Sequence, residues 1–309
     1  MPQLSIIVIS YNTKEMTVAC LRSVYEQTTG VSFELIVVDN NSRDGSAEAI
    51  VAFFPGVKLI PSKENLGFAR ANNLASKEAR GRYLLLLNPD TIILEGAIQK
   101  LLAYAQKHPE GRVYGGRTLF GDRSLNPTSC WKSPSLWSLF CYASGLASLF
   151  RRNILFDPES YGKWKRDDVR EVDIVTGCFL MIEKELWTTL GGFDTTFFMY
   201  GEDADLCMRA RNKGARPVIT PEATIVHYNG ASEKVRADKM IRLFRAKEQL
   251  IQKHWRPITA KIGLYMLRIS VLSRMLSCSI LKHIYNTKFK ERSEIWKEIW
   301  QRSKEWQTS

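Results

Sequence analysis

Several common signatures are missing from this sequence of 309 residues. The cysteines form no C-x-x-C pair and have no regular spacing, which argues against a zinc site or a disulfide framework and favours a reducing cytoplasm. They are Cys20, Cys130, Cys141, Cys178, Cys207 and Cys278. The first residues carry no basic segment and no small-residue cleavage site, so we expect no secretory signal.

Acidic residues are scarce in the last quarter of the chain. Residues 232–309 hold 18 Lys and Arg against 7 Asp and Glu, so nearly all of the net charge of +12 lies there and the body is close to neutral. The segment from 258 to 284 is apolar overall but contains four basic residues. A spanning helix needs about 20 predominantly apolar residues, so we predict that this segment does not cross a membrane.

Apolar runs and helical patterns alternate over the first ninety residues. The runs 4–10, 33–38 and 83–87 are apolar at nearly every position, which is typical of strands buried on both faces of a sheet. Helical crossovers between such strands predict a mostly parallel central sheet flanked by helices, an α/β fold. Three prolines, at 127, 134 and 158, interrupt residues 120–170, where we predict an irregular insertion.

Polar clusters follow three of the predicted strands. They are Ser10-Tyr11-Asn12, Asp39-Asn40-Asn41-Ser42 and Asn88-Pro89-Asp90. Ligands of open parallel sheets bind beyond the carboxyl ends of the strands, so these clusters predict a binding edge. Asn, Asp and Ser also favour ordinary turns at strand ends, and that structural interpretation stays open for any one cluster.

Two familiar nucleotide motifs are absent. The G-x-G-x-x-G fingerprint of dinucleotide-binding folds would follow the first strand, where Tyr11-Asn12-Thr13-Lys14 stands instead. The P-loop pattern G-x-x-x-x-G-K-[ST] does not occur either. Nicotinamide enzymes and P-loop ATPases of the usual kinds are therefore disfavoured.

Six stretches, in order and spacing over residues 3–230, resemble family 2 glycosyltransferases with the GT-A fold. They read SIIVISYN, ELIVVDNNSRDGS, ENLGFARANN, LLLLNPDT, TGCFLMI and GGFDTTFFMYGEDADLCMRA. The NPD form is similar to that of bacterial rhamnosyltransferases in cell-surface polysaccharide synthesis. The resemblance implies a catalytic domain at 1–230, with a nucleotide-binding half at 1–118 and an acceptor half at 119–230, and a basic helical extension at 231–309.

The resemblance also implies roles for matching residues. Tyr11 would stack on a pyrimidine, Asp39 would accept from its N3–H, and Asn41 and Asn88 would complete the nucleotide site. Arg70 would lie near the diphosphate, and Gly177 and Cys178 would lie against the donor sugar. The implied donor is a nucleotide-sugar, with L-rhamnose from dTDP as one possibility and another UDP- or dTDP-sugar as the alternative.

The family's D-x-D metal motif reads Asn88-Pro89-Asp90 here, so only the second carboxylate is present. By resemblance, Asp90 would bind Mg²⁺ or Mn²⁺ and His227 would complete the metal site. A lone His is also often purely structural. An alternative function is a non-catalytic membrane-associated module that binds sugar nucleotides. Its sole support is the loss of the first carboxylate of the D-x-D motif.

The pair Glu202-Asp203 opens a predicted helix, where carboxylates also serve as caps. Transfer to an acceptor hydroxyl needs a base, and in the family the Asp of this pair removes that proton with inversion at the sugar. The resemblance therefore makes Asp203 the base, with Glu202 beside it contacting acceptor or orienting the site.

The tail can be placed on a helical wheel. Lys261, Arg268, Arg274 and Lys282 fall within an arc of about 140°, and apolar residues, including Ile262, Ile269, Leu276, Ile280 and Ile284, lie largely opposite. This pattern favours an anionic membrane surface as partner, at the cytoplasmic face of the cell membrane where a lipid-linked saccharide acceptor would be found. Packing of the apolar stripe on the body is the alternative, and Trp296, Trp300 and Trp306 also fit a homo-oligomer contact. No recognition motif supports nucleic-acid binding.

Overall fold

The computed structural model describes residues 1–228, 236–281 and 288–307. These residues form two compact units. The first comprises Met1–Trp131 and the chain from Lys165 to residue 228, and the second comprises Lys132–Trp164 and the two later ranges. The predicted division placed all of 119–230 in one domain, whereas residues 132–164 cluster with the C-terminal helices. The predicted boundary at 230/231 lies outside the described residues.

The first unit is built on a sheet. Its strands are β1 Leu4–Ser10, β2 Phe33–Asp39, β3 Lys58–Pro61, β4 Tyr83–Leu87, β5 Thr91–Ile93, β6 Val113–Leu119, β7 Leu125–Asn126, β8 Cys130–Trp131, β9 Arg170–Glu171, β10 Ile174–Val175, β11 Phe179–Glu183 and β12 Val218–His227. The order across the main sheet is β3-β2-β1-β4-β11-β6-β12-β5, and β8 pairs separately with β10. The first four strands in this order are parallel, and β11 runs antiparallel between β4 and β6.

Helices cover this sheet, which confirms the predicted α/β class. They are α1 Lys14–Gln27, α2 Ser46–Phe53, α3 Gly67–Glu78, α4 Ala97–Lys107, α7 Lys184–Leu190 and α8 Glu202–Asn212. Every residue of β1 and β4 is buried, as their unbroken apolar sequences predict. The core joins alternate residues of these strands, such as Ile6 and Leu85, to the inner faces of α1 and α4.

The sequence patterns did not reveal β5 and β6. β6 contains Gly115 and Gly116, which resemble turn residues, but both are buried in the sheet. A Cβ atom on Gly115 would lie 2.5 Å from Cγ1 of Val175, and one on Gly116 would overlap the carbonyl oxygen of Ala223. Glycine is therefore needed at both positions, because other segments of the same chain approach β6 closely there.

The second unit is helical. Its helices are α5 Leu136–Ala143, α6 Leu146–Leu149, α9 Arg236–His254, α10 Pro257–Leu281 and α11 Lys288–Gln301. Leu139 of α5 joins a core formed mainly by the three C-terminal helices and by Trp306, whose indole N–H donates to the Ile299 carbonyl at 3.1 Å. The interrupted segment 132–164 thus supplies part of a helical core.

Helix α10 has 25 residues and is long and apolar enough to cross a membrane by length and composition alone. This differs from the prediction that basic residues interrupt the segment too often. Lys282 and Ile284, which the wheel also placed, lie outside the described residues.

Candidate active site

The carboxyl edge of the sheet gathers the polar residues that follow β1, β2 and β4. β1 pairs in parallel with both neighbours, with Ser10 opposite Asp39. Tyr11, Asp39 and Asn88 therefore lie at adjacent strand ends, since neighbouring strands are about 4.8 Å apart. The Tyr11 side chain is 42% exposed, so its ring is available for stacking.

Asp39 is the last residue of β2 and is only 5% exposed. Its Oδ2 accepts a hydrogen bond from the Ser42 N–H at 3.2 Å. Its buried Oδ1 has no hydrogen-bond partner among the described residues. A buried acceptor without a partner is costly, and a ligand N–H is one way to satisfy it.

The loops after β1 and β2 are tied to each other. The Asn12 N–H donates to Ser42 Oγ at 3.0 Å, and the Arg43 N–H donates back to Asn12 Oδ1 at 2.8 Å. Asn41 lies within this turn with φ +67°, a left-handed conformation that Asn tolerates better than most residues. The structure thus places Asn41 beside Asp39, where its backbone shapes the loop.

Asn40 connects the end of β2 to the start of α3. Its Nδ2 donates to Asn65 Oδ1 at 2.9 Å, and its Oδ1 accepts from the Leu66 N–H at 2.8 Å. These bonds fix the turn that leads into α3 at Gly67, which has φ +73°. Arg70, the predicted diphosphate residue, is exposed on the first turn of this helix.

Asn88, Asp90 and His227 meet at the junction of β4, β5 and β12. His227 pairs with Thr91 across the sheet, and the Tyr228 N–H donates to the Asp90 carbonyl at 3.0 Å. The His227 Nε2 consequently lies 3.3 Å from Asp90 Oδ1 and 3.3 Å from Asn88 Nδ2. The two predicted metal ligands are therefore adjacent.

The electrostatics of this junction favour positive charge. Burial lowers the pKa of His227, but its interactions with the Cys178 sulfur and the Asp90 carboxylate outweigh burial and raise that pKa to about 10. Within residues 1–228, 236–281 and 288–307, no group of three or more His, Cys, Asp or Glu side chains is arranged to hold a metal ion. A cation here would need further ligands from substrate or water.

Gly177 and Cys178 precede β11 and face this junction. A Cβ atom on Gly177 would lie 3.1 Å from Cε1 of Phe68, so only glycine leaves the ring its present place. Cys178 is 2% exposed and its sulfur interacts with His227. The structure therefore directs the Cys178 side chain to the predicted metal ligand, whereas its predicted contact with the donor sugar stays a prediction.

Glu202 and Asp203 begin α8, directly after Gly201 with φ +87°. Asp203 Oδ2 accepts from the Gly177 N–H at 3.0 Å, and Oδ1 accepts from the Ala204 N–H at 2.8 Å. The carboxylate is held by two main-chain donors, and the Asp203 residue as a whole is half-buried. Glu202 is 6% exposed, and its buried Oε2 has no partner among the described residues.

Burial dominates the protonation of this pair. It raises the pKa of Asp203, although the N–H donors of Gly177 and Ala204 act in the opposite direction. Burial and then the charge of Asp203 raise the pKa of Glu202 to about 8.

Two hydrogen bonds from main-chain N–H groups connect Asp203 to the nucleotide edge. The first is the bond from Gly177 to Asp203, and the second runs from the Asn88 N–H to the Cys178 carbonyl at 3.0 Å. Asp203 and Asn88 are thus both hydrogen-bonded to one short chain segment, 177–178, and Asp90 is two residues beyond Asn88. The sequence placed Asp90 and Asp203 113 positions apart, and the antiparallel pairing of β4 with β11 brings them together.

Phe68 and Phe198 complete the site and were not predicted. The Phe68 N–H donates to the Phe198 carbonyl at 3.4 Å, and a Cβ atom on Gly67 would lie 2.7 Å from that oxygen. The segment before Glu202 therefore packs on the start of α3. Gly67 was the available signal, since a glycine between Leu and Phe marks a close approach of backbone.

The sequence model of Glycosyl transferase family 2 matches residues 5–182, more than half of the chain. The N-acetylglucosaminyl-diphospho-decaprenol L-rhamnosyltransferase of Mycobacterium tuberculosis (strain H37Rv) is 29% identical over 64% of this chain and 67% of its own length. Rhamnosyltransferase WbbL of Escherichia coli K12 is 29% identical over 62% of this chain and 72% of its own. The O-antigen biosynthesis protein RfbC of Myxococcus xanthus is 25% identical over 76% of this chain. The matched region covers only 18% of the length of RfbC.

Solved structures agree in fold. The mannosyltransferase PcManGT of Pyrobaculum calidifontis, in complex with GDP-Man and Mn²⁺, has a TM-score of 0.58 at 16% identity, covering 96% of this chain and 85% of that one. Staphylococcus aureus TarS 1-349 in complex with UDP has a TM-score of 0.54 at 16% identity, covering 92% and 75%. The chain therefore belongs to glycosyl transferase family 2 and has the fold of the GT-A glycosyltransferases.

Proposed function

We propose that this glycosyltransferase moves one sugar from a nucleoside diphosphate donor to a hydroxyl group of a saccharide acceptor, with inversion at the anomeric carbon. The observation that carries the proposal is the position of Asp203. Its carboxylate is held by two N–H donors and is joined through residues 177–178 to the edge that holds Asn88 and Asp90.

Asp203 acts as the general base. It accepts the proton of the acceptor hydroxyl while that oxygen bonds to C1 of the sugar, and the bond from C1 to the diphosphate oxygen breaks with its electron pair on the diphosphate. Burial raises the pKa of Asp203, which makes the carboxylate a stronger base than a free Asp side chain. The Gly177 and Ala204 N–H groups orient it without removing its charge.

Residues at the strand ends hold the nucleotide. Asp39 Oδ1, the buried acceptor without a partner, suits the N3–H of uracil or thymine. Tyr11 would stack on the base, Asn41 and Asn88 would complete the contacts around it, and Arg70 would approach the diphosphate. The exposure of Tyr11 and Arg70 supports these assignments.

Asp90 and His227 fit a divalent cation. A carboxylate and an imidazole 3.3 Å apart would offer two ligands once the cation displaces the proton of His227, and the donor diphosphate and water would supply the others. The imidazole nitrogen favours Mn²⁺ over Mg²⁺, which prefers oxygen ligands. When bound, the cation would neutralise charge on the leaving diphosphate.

Asp90→Ala tests this metal assignment. The variant should lose about tenfold in UDP or dTDP affinity when Mn²⁺ is present, and bind like the wild type when a chelator is present, because only the cation connects Asp90 to the diphosphate. Isothermal titration calorimetry measures both affinities. Equal metal dependence in the two proteins would remove Asp90 from the metal site.

The relatives suggest the substrates. Two of them are named rhamnosyltransferases, and one is named for a diphospho-decaprenol acceptor. The proposed donor is therefore dTDP-L-rhamnose. The proposed acceptor is a lipid-linked saccharide at the cytoplasmic face of the cell membrane. A panel of nucleotide-sugars, assayed by release of the nucleoside diphosphate, would identify the donor.

The decisive experiment replaces Asp203 by Asn. Transfer should fall by at least about a thousandfold, because the amide cannot take the proton, while nucleotide affinity stays within about twofold. Glu185→Gln is the matched control, since Glu185 is an exposed carboxylate in the first turn of α7, outside the site. Turnover by Asp203→Asn at the rate of this control would refute the base assignment.

A further inference from the structure

Helix α10 is apolar on two opposite faces. The inner face packs into the helical core and is formed by Ala260, Gly263, Leu267, Ser270 and Val271. The outer stripe of α10 consists of Ile258, Ile262, Tyr265, Leu276 and Ile280, which are between 42% and 76% exposed. At 100° per residue the outer stripe falls within an arc of about 60°, opposite the inner face.

The outer stripe consists of two groups of exposed residues, at 258–265 and at 276–280, with the half-buried Ile269 between them. It extends from residue 258 to residue 280, about 33 Å at 1.5 Å per residue. Exposed apolar surface of this extent marks an interaction site rather than scattered surface residues.

The basic residues of the helix divide into two groups. Lys261 and Arg268 lie beside the outer stripe and are exposed or half-exposed. Arg274 lies over the rings of Tyr142 and Trp296, at 5.4 and 5.2 Å from their centroids, and burial lowers its pKa. Arg274 therefore stabilises the helical unit internally, and Arg268 forms an ion pair at 4.0 Å with the buried Glu248 carboxylate. Lys261 is exposed and can meet an outside partner.

The charge of the unit identifies that partner. Lys132–Trp164 and Glu233–Ser309 together hold 22 Lys and Arg against 9 Asp and Glu, a net charge of +13, whereas the whole chain carries +12. A second copy would bring two such charges together, which is unfavourable. An anionic lipid surface complements them, because Lys and Arg side chains near such a surface are attracted to it.

A second exposed patch in the same unit has the same chemistry. Residues 148–155 are all exposed, and they combine four large apolar side chains with two arginines. The residues are Leu149, Phe150, Arg151, Arg152, Ile154 and Leu155. Mixed apolar and basic surface is typical of contact with the headgroup region of a bilayer.

We propose that the outer stripe of α10 binds in the plane of an anionic membrane surface. The helix does not cross the bilayer, because its inner face is committed to the helical core and Arg274 to aromatic rings of that core. Charged residues within a span would also be costly. This inference rests on the proposed membrane-face location, but it is tested by vesicle binding rather than by sugar transfer, so the two can fail separately.

The experiment measures sedimentation of the full chain with vesicles of phosphatidylcholine, alone or mixed with phosphatidylglycerol. The triple variant Ile262→Ser, Leu276→Ser, Ile280→Ser should bind the mixed vesicles at least tenfold more weakly than the wild type. The matched control is Val51→Ser with Phe53→Ser, which removes two side chains of α2 that are 58% and 61% exposed. The control should bind like the wild type, and circular dichroism should show that both variants remain folded.

Four results would overturn the inference. The triple variant would bind the mixed vesicles as tightly as the wild type, or the wild type would bind neutral and anionic vesicles equally. A wild-type dimer that the triple variant dissociates would identify a second copy as the partner. Resistance of the bound protein to extraction by alkaline carbonate would show a spanning helix instead of a surface one.

Discussion

Asp39 and Asp203 are both aspartates near the same edge, yet their surroundings give them opposite tasks. Asp39 is nearly buried and keeps one oxygen without a partner, so it is suited to recognising a donor group. Asp203 has both oxygens on main-chain donors and a raised pKa, so it is suited to taking a proton. At the scale of single residues, function follows from the local hydrogen-bond inventory.

Asp39→Asn tests the recognition of the base. Uracil and thymine donate a hydrogen bond from N3, whereas cytosine accepts one there. Because the Asn side chain can donate its amide N–H, the variant should prefer cytosine where the wild type prefers uracil. We expect the variant to lose about 10- to 100-fold in UDP affinity and to gain affinity for CDP, as hydrogen bonds to charged groups contribute about 1.5–3 kcal/mol. Competitive binding of the two nucleotides measures the ratio. An unchanged ratio would contradict the contact.

Glu202→Gln should change how stability depends on pH. The pKa of Glu202 is about 8 in the folded chain against a model-peptide value of 4.5, so folding favours its protonated form. The contribution of Glu202 to the free energy of unfolding is therefore fully present below about pH 4.5, and it is lost as the pH rises through about 8. The variant should therefore gain Tm relative to the wild type as pH increases from about 5 to about 9. Thermal scans of both proteins give the difference, and parallel curves would contradict it.

At the scale of elements, the strands of the first unit could be predicted where burial is uniform. The predicted 4–10 and 83–87 runs are the observed β1 and β4, because a strand buried on both faces needs an unbroken apolar sequence. β6 escaped prediction because Gly115 and Gly116 are required by its neighbours rather than by its own propensity. A local sequence pattern cannot predict a steric constraint that is imposed by residues distant in the sequence.

Gly116→Ala should weaken the pairing of β6 with β12. The added methyl group would meet the Ala223 carbonyl oxygen, so the strands must separate locally. We expect the free energy of unfolding to fall by about 1–3 kcal/mol, the usual cost of overpacking. Chemical denaturation measures it. Gly56→Ala is the control, because its added atom would lie 3.8 Å from the Tyr25 hydroxyl, an ordinary contact, and should change stability by less than about 1 kcal/mol.

At the scale of the whole molecule, the motifs predicted which residues gather but not how the second unit forms. Tyr11, Asp39, Asn88, Asp90, Gly177 and Asp203 were all predicted in the site region, and they lie at one edge of the sheet or are linked to it. The contact of Cys178 with His227 was not foreseeable, since it depends on where β11 and β12 end. The insertion 132–164 carried no sign of its partner helices, because its core residues are few and its prolines resemble a loop.

Trp306→Ala tests whether that helical core depends on its last aromatic residue. The side chain is 1% exposed and packs against Phe244, with ring centroids 5.4 Å apart. Its loss should lower stability by about 3–5 kcal/mol and leave UDP affinity unchanged, because the nucleotide edge belongs to the other unit. Denaturation and calorimetry measure the two quantities. Phe53→Ala, which removes an exposed ring of α2, is the control and should alter neither.

The chain passes from the first unit to the second at residue 131, returns at 165, and leaves again after residue 228. During synthesis, α5 and α6 therefore emerge from the ribosome long before α9, α10 and α11 are made. During that interval Leu139 lacks its core partners from α9, α10 and α11, while β11 and β12 are still needed to complete the sheet. Nascent chains of this protein should depend on chaperones until synthesis is nearly finished, and fragments that stop before the last helix should aggregate.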